Sequence, residues 1–238
     1  MPAPVMHIVL GLLILPFLPD KNPQEFIVGT SFPDIRYLGV IERDKTHNPH
    51  PSWDQIVGEK SSFKAGMEFH ALVDIMHDRY MTTHNVYSLL PSAIKDSPNY
   101  LKFFEDILIY AKVSEWKKLA SYFDTVLAEE LALVNDKKSI ELWHNNIKHY
   151  ILKQPSPNTI QEFIDTRLPT WYGALLRLPI KLRAHKIGSV LSNNLKKLFA
   201  LKTLCLYIFD FYDQFPTLIM ARSSHAHMGT KTFEPLVS

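Results

Sequence analysis

The chain has 238 residues, 46% of them apolar, enough to bury a sizeable core in one domain or at most two. Its 26 basic and 24 acidic side chains are well mixed and sum to +2, which is too near neutral to argue for nucleic acid or a membrane surface as a partner. A single cysteine, Cys205, excludes an internal disulfide framework.

Met1 to Pro19 carries no formally charged side chain and contains the apolar run Ile8 to Leu15. A secretory leader would place basic residues before this run and a small-residue cleavage site after it, and neither is there. The run is also too short to span a bilayer. A buried first helix is expected, with Pro2 and Pro4 in its first turn, and a signal or anchor is the alternative. A cytoplasmic location goes with the first reading, and secretion goes with the second.

After a turn at Asp20 to Pro23, Gln24 to Gly29 reads as a short apolar segment. Pro33 fixes its own φ and disfavours helix at Phe32, so Asp34 sits at a defined bend at or just before a helical turn. Residues 42–60 are rich in charge, proline and histidine without apolar periodicity and read as a long loop. A helix follows from Ser61 or Ser62 to Met81. Phe69, Val73, Met76 and Tyr80 form its apolar stripe, and His70, Asp74 and His77 fall on the adjacent arc.

Tyr87 to Ile94 gives another short segment, and Ser97-Pro98 opens a helix through Ala111. Ser114 is expected to cap one helix through Val134, Ser139 to start the next, and Ser156-Pro157 to open another. Lys181 to Phe215 reads as a last long helix with a possible break near Gly188. Lys202 and Asp210 in its apolar part make it a buried helix rather than a membrane span. Hairpin signals are lacking and strand-like alternation is scarce. The fold class is therefore all-α, one domain of roughly seven to nine helices. Residues 1–84 carry a candidate metal site, 85–222 a helical scaffold and 223–238 a loosely ordered tail.

His70 and Asp74, one turn apart on a rigid helix, point side by side and make a good pair of metal ligands. Alone they mean little. Eleven histidines and 24 acids in a chain of this length give about one His-x-x-x-Asp/Glu by chance, and a second, His50/Asp54, is indeed present. What adds weight is company: His7 at the start of an apolar helix, Asp34 after a proline, and His47 in the polar loop. Together these make a nitrogen and oxygen set suited to zinc or a similar divalent ion, manganese included.

The order of Pro4 and His7, Pro33-Asp34-Ile35, His47, then Phe63, Gly66, His70 and Asp74 resembles the zinc-dependent phospholipase C family. It is more distantly similar to the single-strand-specific nucleases of that all-α fold. The resemblance covers roughly residues 1–80. It implies that Asp34, His47, His70 and Asp74 surround one zinc and that His7 shares Asp74 with a neighbouring one. It further implies hydrolysis of a phosphate ester, most naturally a phosphodiester, with Asp34 orienting or deprotonating the water. A third metal in that family uses a later histidine with an acid four residues on. Here His144 is followed by Lys148 and His149 by Lys153, so one or two ions are carried over. His77 and His84 are the nearest stand-ins for a further ligand, and His77 is also a candidate acid/base group.

Arg36, Arg43 and Arg79 lie close in sequence to these ligands, and an arginine fork suits a phosphate. The expected substrate is a small phosphate ester or a lipid, with no nucleic-acid signature. Two other readings compete: a His-Asp-type metal phosphohydrolase built on His77-Asp78, and a non-enzymatic helical interaction protein whose polar cluster is a buried hydrogen-bond network.

Overall fold

The computed structural model describes residues 2–92, 98–166 and 174–226. Among these the chain forms eleven α-helices, joined by short 3-10 turns and loops, and no strand. The first four are α1 Pro4–Ile14, α2 Pro23–Ser31, α3 Trp53–Gly58 and α4 Ser62–Thr83. Then come α5 Pro98–Ile109, α6 Trp116–Ser121, α7 Ala128–Leu133, α8 Lys137–Leu152, α9 Pro157–Asp165, α10 Ala174–Ala200 and α11 Lys202–Ala226. No helix among the described residues is long and apolar enough to cross a membrane.

Helix α1 is buried almost throughout, with Pro4 in its first turn, where a missing N–H costs nothing. Its N-cap residue, Ala3, offers no side-chain cap. Asp106, from α5, supplies one across a hundred residues of sequence: its carboxylate accepts from the backbone of Val5 at 3.2 Å and of Met6 at 2.9 Å. Tyr150 Oη donates to the same carboxylate at 3.0 Å. An anion at a helix N-terminus is favourable for the macrodipole as well as for the orphan amides.

The segment Gln24 to Gly29, too short to show a period, is the middle of α2. Asn22 caps this helix through Glu25 N, and its own N–H donates to Ser62 Oγ at the start of α4. The two helices then cross at nearly backbone contact. A Cβ on Gly29 would lie 2.0 Å from the Phe63 carbonyl oxygen, and one on Gly66 would lie 2.2 Å from that of Phe26. Each glycine is there because the opposing helix occupies the space of a side chain.

Several expected boundaries move. The helix expected over 114–134 divides into α6 and α7, separated by a 3-10 turn at Tyr122–Asp124 and an extended stretch. Glu130, facing inward, turns back to cap Leu127 N, which starts α7 there. The last long helix is two, and the break falls at Leu201 rather than Gly188. Gly188 instead lets α10 settle against Pro157 and Gln161 of α9, where a Cβ would meet Pro157 O at 3.0 Å. Helix α8 begins at Asp136, which accepts from Lys138 N, while Ser139 Oγ donates to the same carboxylate. The loop expected over 42–60 contains α3, whose Ser52 and Gln55 form a reciprocal capping box. Part of the segment Tyr87 to Ile94 lies outside the described residues, as does the tail beyond Ala226.

Replacing Gly66 by alanine tests the crossing. In an open helix that change stabilises by up to about 1 kcal/mol. Here it is expected to destabilise by about 2–3 kcal/mol or more, as overpacked contacts do, read as a lower urea midpoint with the m-value unchanged.

Candidate metal centre

Five side chains singled out from the sequence meet in one place. His7 comes from the first turns of α1, Asp34 from the 3-10 turn Phe32–Leu38 after α2, His47 from the loop before α3, and His70 and Asp74 from α4. All five are buried, none more than 7% exposed. Ligand atoms of His7, His70 and Asp74 lie within 4.8 Å of one another, and so do those of Asp34, His47 and His70. His7 and His70 stack with ring centroids 3.9 Å apart and planes within 4°, and His47 stands edge-on to His70 at 5.0 Å.

Outer hydrogen bonds aim the rings. His70 Nδ1 lies 2.8 Å from the Thr30 carbonyl oxygen. A carbonyl can only accept, so Nδ1 carries the proton and Nε2 presents its lone pair inward. Pro33 explains why Thr30 O is available: it has no N–H to offer that carbonyl in the 3-10 turn. His7 Nδ1 faces the Ala3 carbonyl at 3.3 Å in the same sense. His47 Nδ1 is 2.9 Å from Thr46 Oγ1, whose own hydroxyl donates to the Arg43 carbonyl at 3.2 Å. Thr46 thus holds His47 through Nδ1, and Nε2 is left facing inward without a hydrogen-bond partner.

Those inward nitrogens face a carboxylate. Asp74 Oδ1 is 3.4 Å from His7 Nε2, while Oδ2 is 3.7 Å from His47 Nε2 and 3.8 Å from His70 Nε2. The Nε2 atoms of all three histidines and both oxygens of Asp74 are buried with no hydrogen-bond partner. Electron-rich atoms held together without protons between them are costly, unless a cation joins them. Ligands about 2.0–2.2 Å from a tetrahedral ion stand roughly 3.3 Å apart, close to the shortest of these separations. The two oxygens of Asp74 point to different histidines.

The protonation states agree with this. Burial, followed by His7 beside it, lowers the His70 pKa to about 3, and burial with Arg43 nearby lowers His47 to about 4. Burial pushes Asp74 up, but His70 and His7 outweigh it and hold the carboxylate well below its ordinary range. Asp34 is likewise raised by burial and lowered more by His70, Lys102 and Arg36. Neutral imidazoles beside ionised carboxylates are the ligand forms that metal binding requires.

The remaining histidine candidates lie apart from these five, whereas the arginines border them. His77 is buried but turns its Nε2 to Glu105 Oε1 at 2.8 Å, with Phe211 against its ring. His84 is exposed and bonds through Nδ1 to the Tyr80 carbonyl. Neither joins the five, so neither the additional-ligand role nor the acid/base role of His77 is met by its position. Asp78 is exposed while its neighbour His77 is buried, so the two do not converge on a common point. His50 and Asp54 are both on the surface, as a chance motif would be. Arg36 reaches Asp34 at 3.5 Å, donates to Tyr37 Oη and lies over the Tyr37 ring. Arg43, half exposed, places Nη2 3.9 Å from Asp74 Oδ2, and Arg79 lines a cleft beside Asp74.

Sequence reasoning missed Lys102, buried beside Asp34, and the acids Glu105 and Asp106. A signal was present: Glu105-Asp106 is an acidic pair inside the apolar run of α5. A scan against family models finds no match to the chain, and neither the curated proteins nor the solved structures yield a relative.

Burial pushes the Asp106 carboxyl up to about 7, against the pull of the Met6 amide, the Tyr150 hydroxyl and the Val5 amide. Asp106→Ala is expected to cost about 2 kcal/mol, the upper end of an N-cap loss. It should also weaken zinc uptake, because His7 rides on the helix that Asp106 anchors. Urea unfolding and a zinc titration on the same variant check both effects.

Proposed function

We propose that the protein is a metal-dependent phosphoesterase, resembling the zinc-dependent phospholipases C, that binds one or two zinc ions and hydrolyses a phosphodiester. One observation carries this reading: three imidazole Nε2 atoms and two carboxylate oxygens converge, buried and without hydrogen-bond partners. A structural hydrogen-bond network would leave protons between these atoms, as it does around His144. His144, for comparison, is fully engaged by Glu130 and the Phe123 carbonyl. The set is a mixed nitrogen and oxygen one without thiolate, which suits zinc and tolerates manganese.

His47, His70, Asp34 and Asp74 would hold one ion, and His7 with the second oxygen of Asp74 would hold its neighbour. Bound zinc supplies a Lewis acid for the phosphoryl oxygen and a water acidified towards neutrality. The residues of the chain do the rest. Asp34, kept ionised by Lys102 and Arg36, accepts a hydrogen bond from the attacking water and orients it. Arg43, with its guanidinium at the mouth of the site, meets the phosphate and neutralises charge on its oxygens. The water oxygen bonds to phosphorus, the bond from phosphorus to the alcohol oxygen breaks, and the proton lost by the water ends on the released alcohol. The His-Asp alternative gains no support from His77 and Asp78, whose side chains part company.

Protein purified without chelator should retain roughly one to two equivalents of zinc, and chelation should lower its melting temperature. At a free zinc concentration a hundredfold above Kd, about 2.7 kcal/mol of stability is expected to return. Asp74→Ala should abolish retention, whereas His77→Ala should keep the metal. Elemental analysis and thermal melts decide: absence of bound zinc in the wild type, with no stabilisation on adding zinc or manganese, would leave only the interaction-protein reading.

A further inference from the structure

A cleft of about 490 Å³ opens from solvent onto Asp74. Its floor is the outer surface of α4, where two adjacent rows of residues run one helical turn apart. Asp74, Asp78 and Thr82 make one row, and Ile75, Arg79 and Thr83 the other. Arg43 forms the facing wall at the Asp74 end. From Asp74 to Thr82 the cleft extends about 12 Å along the helix, at 1.5 Å per residue.

The lining is what discriminates. Ile75 is its one apolar side chain, and it carries no aromatic ring on which a base could stack. Asp78 and Arg79 are exposed charges and Thr82 and Thr83 exposed hydroxyls. An acyl chain laid here would gain apolar contact with Ile75 and the carbon stems of its neighbours, but it would strip water from Asp78, Arg79, Thr82 and Thr83 and offer them no hydrogen bond in exchange. Hydroxyl or amino groups would replace that water: Asp78 accepts from either, and the threonines both donate and accept.

We propose that the cleft takes a small, water-soluble phosphate ester whose alcohol portion carries hydroxyl or amino groups, laid along α4 with its phosphate between Arg43 and Asp74. This rests on the phosphoesterase reading and narrows it. The substrate is a polar diester of a size the cleft can hold, not an acylated lipid and not a nucleic-acid strand. Asp78, Thr82 and Thr83 are the specificity-determining groups, one and two turns beyond the metal-binding carboxylate.

The test compares two diesters that differ in acylation alone: glycerophosphoethanolamine and its dihexanoyl derivative kept monomeric. Bis(4-nitrophenyl) phosphate serves as an undemanding third substrate for the zinc-loaded full chain. The deacylated diester should show a kcat/KM at least about tenfold above the acylated one, as a site built for substrate hydroxyls favours the compound that has them. Asp78→Asn and Thr82→Val should raise KM for glycerophosphoethanolamine several-fold and leave zinc content in place. Zinc binding and nitrophenyl diester turnover together with equal or better use of the acylated substrate, or with no use of either natural diester, would overturn this substrate class alone. Loss of zinc binding or of nitrophenyl diester turnover in the wild type would instead bring down the phosphoesterase reading, and this inference with it.

Discussion

Helices α2 and α4 touch along their backbones, and the site depends on that contact. Gly29 and Gly66 face the carbonyls of Phe63 and Phe26 at distances where no Cβ fits. One turn further along α4 is His70, and one residue further along α2 is Thr30, whose carbonyl receives the His70 proton. A larger residue at the crossing would separate the helices by roughly the width of a methyl group, and a 2.8 Å hydrogen bond does not survive that. The imidazole would then be free to turn. Helix packing thus sets the tautomer of His70, which is a chemical property set by steric means.

Burial and charge pull in opposite directions around the five ligands, and the balance is informative. Burial alone would neutralise Asp34 and Asp74 by protonating them, and it does raise Asp106 in just that way. The first two are instead held below their ordinary range, Asp34 by His70, Lys102 and Arg36 and Asp74 by His70 and His7. Lys102 itself is buried, with its ammonium over the rings of Phe103 and Tyr37. A lysine is rarely buried without a charge to answer, and here Asp34 is that charge.

Much of this was legible in the sequence. Periodicity gave the all-α class and placed α4 within two residues of its true ends, because a 22-residue amphipathic helix repeats its pattern many times. His70 and Asp74 follow from their spacing, and His7, Asp34 and His47 from their order. What stayed hidden is long-range. Nothing local marks Asp106 as the cap of α1, or Glu105 as the partner that draws His77 away from the candidate ligands; both lie on a helix that begins fifteen residues after the end of α4 by number. The break between α6 and α7 was invisible for a related reason: apolar spacing continues through 114–134, and only an inward Glu130 bound to His144 and Leu127 N interrupts it.

Helix α4 carries two surfaces, and Asp74 is where they meet. Gly66, His70 and His77 face the interior, each with a packing or hydrogen-bond duty there. Ile75, Asp78, Arg79, Thr82 and Thr83 face the cleft. Asp74 belongs to both sets: it is 5% exposed, its oxygens lack a hydrogen-bond partner, and yet it is part of the cleft floor. A carboxylate placed only to satisfy buried histidines would gain from being sealed, since every opening to water weakens its hold on them. A carboxylate placed only for surface solubility would not be ringed by three imidazoles. Its position at the seam makes sense if an ion held on the inner side must be reached from the outer one. Under the proposed function that opening is where a substrate would reach the ion, whereas a structural metal site closes its ligand shell.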